Sequence, residues 1–81
     1  MITFSDIIPP HKGGSMFKIN ADRKAGTPHA SPVGQIYWFK GHTATVHAKT
    51  LAGDYFAFEG GNLELRIERA KAFIERKAGQ S

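Results

Sequence analysis

Residues 35–58, QIYWFKGHTATVHAKTLAGDYFAF, constrain the fold more than any other part of the chain. Two turn signals there cut one aromatic and β-branched run into three strand-length pieces. Gln35-Ile36-Tyr37-Trp38-Phe39-Lys40 is rich in side chains that sit well on a pleated surface. Gly41-His42 supplies a turn. Residues 43–48 then alternate, with Ala44, Val46 and Ala48 on one face and Thr43, Thr45 and His47 on the other. A second turn at 51–54 (LAGD) leads into a third strand over 55–58, which Gly60 and Gly61 end. Connections this short join antiparallel neighbours, so the stretch reads as a meander.

Beyond it the apolar spacing becomes helical. Asn62 suits an N-cap, because its side chain can accept from a first-turn amide, and Glu64 complements the positive end of the helix dipole. The helix is expected from Leu63 to Ala78, with Gly79 terminating it. At about 100° per residue, Leu63, Ile67, Ala70, Ile74 and Ala78 share one stripe, which must pack on the sheet. Glu64, Glu68 and Glu75 form a second stripe, and Arg66, Arg69, Arg76 and Lys77 a third. Phe73 falls among the arginines, either widening the core face or offering a contact to a protein partner.

The segments before the meander are less regular. Residues 1–8 carry Ile2, Phe4, Ile7 and Ile8, a spacing that suits either one short helical turn or a brief strand, and stop at Pro9-Pro10, which lack amide donors and favour extended geometry. They read as an apolar flap over the core or, alternatively, as a docking segment. Lys12 and Gly13-Gly14 resemble a phosphate loop only superficially: a strand pattern follows rather than a helix, so a turn is expected. Phe17 and Ile19 alternate against Met16, Lys18 and Asn20, the pattern of a half-buried strand. Residues 21–34, with Gly26, Pro28 and Pro32, read as a loop. Arg23, Lys24 and His29 make it either a solvated segment or a basic arm that orders on an anionic partner. One domain covers 1–81: a flap over 1–14, strands over 15–59 with a loop at 21–34, and a helix over 62–78. The expected class is α+β, a three- or four-stranded antiparallel sheet packed on one C-terminal amphipathic helix behind an irregular N-terminal segment.

An 81-residue chain has room for one core. Without cysteine it has neither disulfides nor thiolate metal ligands. The histidines do not converge: His42 and His47 span a turn-to-strand junction, while His11 and His29 sit in loops, so no metal is expected. Ser5, Ser15 and Ser31 lie in no nucleophile context. Asp54 and Glu59 read as turn and strand-end residues rather than an acid/base pair. No enzyme and no cofactor are expected. Nor is there an apolar run of the roughly 20 residues that cross a bilayer, or a secretory leader pattern, which makes a soluble cytoplasmic protein with no membrane partner the expectation.

A net charge of +4 favours polyanionic partners. If the helix covers Ala44, Val46 and Ala48, the opposite face presents Thr43, Thr45 and His47 with Lys40 and Lys49 at the strand ends, groups suited to phosphates and base edges. The leading expectation is a small non-enzymatic accessory protein that binds nucleic acid through that face. Arg23, Lys24 and the helix residues Arg66, Arg69 and Arg76 would assist. Over about residues 35–78, the order of three strands and then a helix is similar to the compact DNA-binding domains of plant AP2 factors and the arm-binding domains of phage-type integrases. That likeness is one of topology and carries over no individual residue; basic residues on these strands are sparser than in such domains.

The rival expectation is a protein-binding module or inhibitor, such as a phage-encoded anti-CRISPR-type antagonist of a host nucleoprotein complex, using Tyr37, Phe39, Phe73 and the apolar N-terminus. A homodimer through an exposed strand edge is a third. The meander is apolar on both faces, so one helix cannot cover it. The Tyr37 and Phe39 side therefore needs another cover: the N-terminal flap, a second copy or a partner.

Overall fold

Five strands lie side by side in chain order, each antiparallel to the next: β1 (Ile2–Phe4), β2 (Met16–Lys24), β3 (Ala30–Phe39), β4 (His42–Thr50) and β5 (Tyr55–Glu59). One helix, α1 (Leu63–Ala78), packs across a single face of this sheet. The structure, a computed structural model, describes residues 2–24 and 30–79.

The α+β class, the meander and the helix bounds match the sequence expectation. The strand count does not, because the sheet has five strands rather than three or four. The N-terminal segment is the first reason. Instead of folding over the sheet, Ile2, Thr3 and Phe4 pair in its plane with Arg23, Asp22 and Ala21. The chain then continues along the same edge. Ser5 N–H donates to the Asn20 carbonyl at 3.0 Å, and Ile8 exchanges bonds with Lys18 at 2.8 and 3.1 Å. The spacing of Ile2 and Phe4 allows a brief strand, but three residues are too few to separate it from a helical turn in sequence.

The second correction concerns the expected loop at 21–34. β2 runs on to Lys24 and β3 begins at Ala30, so the hairpin ladder occupies most of it. A register slip after Ala21 makes this possible: Ala21 pairs with Gly34 but Asp22 pairs with Pro32, leaving Val33 as the bulged residue. A bulge accommodates a proline that cannot donate to the ladder. Residues 25–29, including His29, lie outside the described residues.

Period-two alternation sends Ile19, Ala21, Ile36, Trp38, Val46 and Ala48 to the helix side, all at most 2% exposed. Ile67, Ala70, Phe73 and Ile74 meet them from α1, and Ile2 and Phe4 pack against the same core. Phe17 stacks on Trp38 with centroids 5.8 Å apart. Phe73 is therefore a core residue, with Phe56 and Phe58 at 6.1 and 6.0 Å, and the expectation of an exposed partner contact there is overturned. At the helix start the Asn62 side chain accepts from Leu65 N–H at 2.8 Å. At Gly34 there is no room for a side chain: a Cβ there would run into the Lys49 carbonyl oxygen of β4.

Candidate nucleic-acid interface

The residues that alternate away from the core form the other face of the sheet, and α1 leaves that face uncovered. Strand register fixes its layout. Lys18, Tyr37, His47 and Ala57 form one row across β2 to β5, and Asn20, Gln35, Lys49 and Tyr55 form the next.

The rings on these rows are in mutual contact. Tyr37 stacks on His47 with centroids 4.8 Å apart and planes at 12°. His47 lies 5.9 Å from Tyr55, and its Nδ1 is 2.6 Å from the Tyr55 hydroxyl. Phe39 meets Tyr37 edge-on at 5.9 Å and His47 at 6.1 Å. Offset and edge-to-face arrangements of this kind suit the quadrupoles of aromatic rings. The Lys49 ammonium sits 5.5 Å from the Tyr37 centroid. The cluster is not buried: Tyr55 is 54% and Phe39 36% exposed, while Tyr37 and His47 are half-buried. Partial burial, and after it the neighbouring Tyr55, raises the Tyr37 phenol above its ordinary value. The expected N-terminal cover is absent here, because residues 2–8 run along the β2 edge instead.

Two hollows flank the row. One, of about 430 Å³, lies at the β3–β4 turn among Phe39, His42, Thr45 and His47. The other, of about 230 Å³, lies among Asn20, Gln35 and Lys49.

Of the basic and polar residues singled out from sequence, the fold brings Thr45, His47 and Lys49 onto this face and leaves Lys40 and Thr43 exposed beside it at the turn. Thr45 Oγ1 donates to Glu59 at 3.5 Å. Arg69 and Arg76 are exposed on α1, across the sheet from the aromatic row, and Arg76 lies 5.8 Å from the Phe73 ring. Arg66 departs most from expectation. It is only 7% exposed and donates to the carbonyls of Gly60, Gly61 and Thr43, so it fastens α1 to the sheet and cannot reach a phosphate. Arg23 is likewise engaged, donating to the Ala78 carbonyl at the end of α1. Lys24 closes β2, and its side chain lies outside the described residues.

Sequence reasoning missed Lys18 and Tyr55 as members of this face. The signal existed in the alternation, which sets Lys18 opposite Phe17 and Ile19, but only the register shows that Lys18 borders Tyr37. Among the described residues the one ion pair joins Lys71 to Glu68 on α1, so Lys18, Lys40 and Lys49 have no acidic partner there. Among the described residues there is no group of three potential metal ligands and no helix long and apolar enough to cross a membrane. Asp54 closes the β4–β5 turn, accepting from the Thr50 hydroxyl at 3.0 Å, as expected of a turn residue. No protein-family model matches the chain, and comparisons with curated proteins and with solved structures find no match.

Proposed function

We propose that the protein is a non-enzymatic accessory factor that binds single-stranded nucleic acid across the open face of its sheet. The observation that carries this reading is the uncovered aromatic cluster Phe39, Tyr37, His47 and Tyr55, flanked by Lys18, Lys40 and Lys49, which have no acidic partner among the described residues. Unstacked bases lie on such rings regardless of sequence, each stack contributing about 1–3 kcal/mol. The lysines neutralise phosphates, and the hydroxyls of Thr43 and Thr45 reach the sugar-phosphate backbone. A sheet face of this kind favours splayed bases over a duplex, whose base faces are hidden in the stack.

Fluorescence anisotropy with labelled single-stranded and duplex oligonucleotides tests it. Single strands should bind more tightly, and the affinity should fall as salt rises from about 50 to 200 mM, with a log–log slope of about −0.7 per phosphate neutralised. Absence of salt-sensitive binding ends the reading.

A protein-binding inhibitor of a nucleoprotein complex remains the second reading, favoured by Leu51 at 72% and Phe56 at 52% exposed near the β4–β5 end. It predicts no oligonucleotide binding, together with a nuclease-resistant partner that Leu51→Ser releases.

A further inference from the structure

The two edges of the sheet are finished differently. On the outer side of β2, a three-residue strand and the bridge at Ile8 occupy the edge, followed by Pro9-Pro10. Short edge strands and prolines are devices that discourage pairing with another chain. β5, at the other edge, has none of them: Tyr-Phe-Ala-Phe-Glu contains no proline or lysine, and its register with β4 is unbroken.

The direction of its peptide groups follows from the ladder. Thr50 N–H donates to the Asp54 carbonyl at 2.9 Å. Hydrogen-bonded pairs alternate along antiparallel strands, so Ala48 with Phe56 and Val46 with Phe58 are the next two. The N–H and C=O groups of Phe56 and Phe58 thus face β4. Those of Tyr55, Ala57 and Glu59 face outward.

We infer that β5 is a homodimerisation edge, pairing antiparallel with β5 of a second copy about a two-fold axis at Ala57. In that register Ala57 lies opposite its own counterpart and Tyr55 opposite the second copy's Glu59. Every outward peptide group then meets a partner. A shift by one residue sets outward groups against inward ones, and a shift by two leaves one end of each strand unpaired, so this register pairs the most groups. Side chains agree with it. Tyr55, Ala57 and Glu59 share the open face, whereas Phe56 and Phe58 share the helix face, where Phe56 comes beside Phe58 of the second copy. Phe56, 52% exposed at the rim that α1 leaves bare, is thereby covered. The two open faces become one continuous surface. The inference does not depend on nucleic-acid binding and is read without any oligonucleotide.

Sedimentation equilibrium across a concentration series, combined with residue-resolved amide exchange, tests it. The mass should rise from 8.9 kDa toward twice that value with concentration. In the dimer the amides of Tyr55, Ala57 and Glu59 should exchange at least ~10-fold more slowly than on dilution, while those of Phe56 and Phe58 stay protected throughout. Ala57→Pro removes an outward donor without touching the β4 ladder, and should be folded and monomeric. Phe56→Lys, at an exposed ring position, should also be monomeric and serves if the proline variant unfolds. A wild-type protein that is monomeric to about 1 mM overturns the inference. So does a dimer in which the three outward amides exchange freely, or which survives in the folded variants.

Discussion

Arg66 donates to the Thr43 carbonyl at 2.6 Å across 23 residues of sequence, joining the first turn of α1 to the start of β4. The same guanidinium holds Gly60 and Gly61, so one buried side chain closes the β5–α1 connection onto the sheet. Arg66→Ala strips a charged donor from these carbonyls and should cost about 2–4 kcal/mol. Urea unfolding followed through Trp38, the one tryptophan and 2% exposed, measures this. A loss under ~0.5 kcal/mol would mean that water serves those carbonyls equally well. The folded fraction of the variant should keep its oligonucleotide affinity, since a buried guanidinium contacts no ligand.

Residues on the open face should behave in the opposite way, changing binding with little effect on stability. Tyr37→Ala or His47→Ala should each weaken single-strand binding by about 5- to 150-fold, the equivalent of one lost base stack, whereas Tyr37→Phe should retain most of the affinity. Lys49→Ala should lower the salt slope by about 0.7. Arg69→Ala and Arg76→Ala, on the far side of the molecule, should alter neither in anisotropy titrations.

The contrast between Arg66 and Arg69 indicates what the sequence reveals and what it hides. Both lie on one basic stripe of α1, whose bounds and N-cap follow from local chemistry and were legible. Which arginine turns inward depends on carbonyls at Gly60, Gly61 and Thr43, a long-range fact that periodicity does not carry. Phe73 was ambiguous for a related reason: it belongs to the core only because Phe56 and Phe58 come round to meet it. At β1 the spacing of Ile2 and Phe4 suits a brief strand or a helical turn equally, and pairing with β2 decides between them; the upper half of the β2–β3 hairpin is hidden because the bulge beside Pro32 breaks the alternation there. Thr45 and His47 are legible as open-face residues because β4 alternates without interruption over those positions; Lys49, expected at the strand end, joins them because β4 continues to Thr50.

Gly34 tests how tightly β3 and β4 approach. An added Cβ would meet the Lys49 carbonyl oxygen at 2.4 Å and Thr50 Cα at 3.2 Å, both backbone atoms that a rotamer change cannot move. Gly34→Ala must therefore displace a strand and should cost about 1–3 kcal/mol, lowering Tm by about 4–8 °C for each kcal/mol in a domain of this size. Calorimetry of the variant against the wild type reads the shift. An unchanged Tm would show that the strands separate freely at this point.

Alkaline titration offers a view of the open face itself. Burial, and secondarily Tyr55, raises the Tyr37 phenol above the ordinary value of 10.0, so the fold favours the neutral ring. As pH climbs past 10.0 the unfolded chain ionises first. The contribution to stability is therefore complete below that pH and is lost as pH rises through the folded value. With only two tyrosines in the chain, Tyr55→Phe leaves Tyr37 as the sole phenol, and its phenolate absorbance can be followed directly. The midpoint should lie above 10.0 in the folded variant, below that of Tyr37 in the wild type, and return to the ordinary value in denaturant. A bound single strand covers the ring and brings phosphate charge close, both of which disfavour the phenolate, so adding oligonucleotide should raise the midpoint again. A midpoint that oligonucleotide leaves unmoved would place the ligand away from Tyr37.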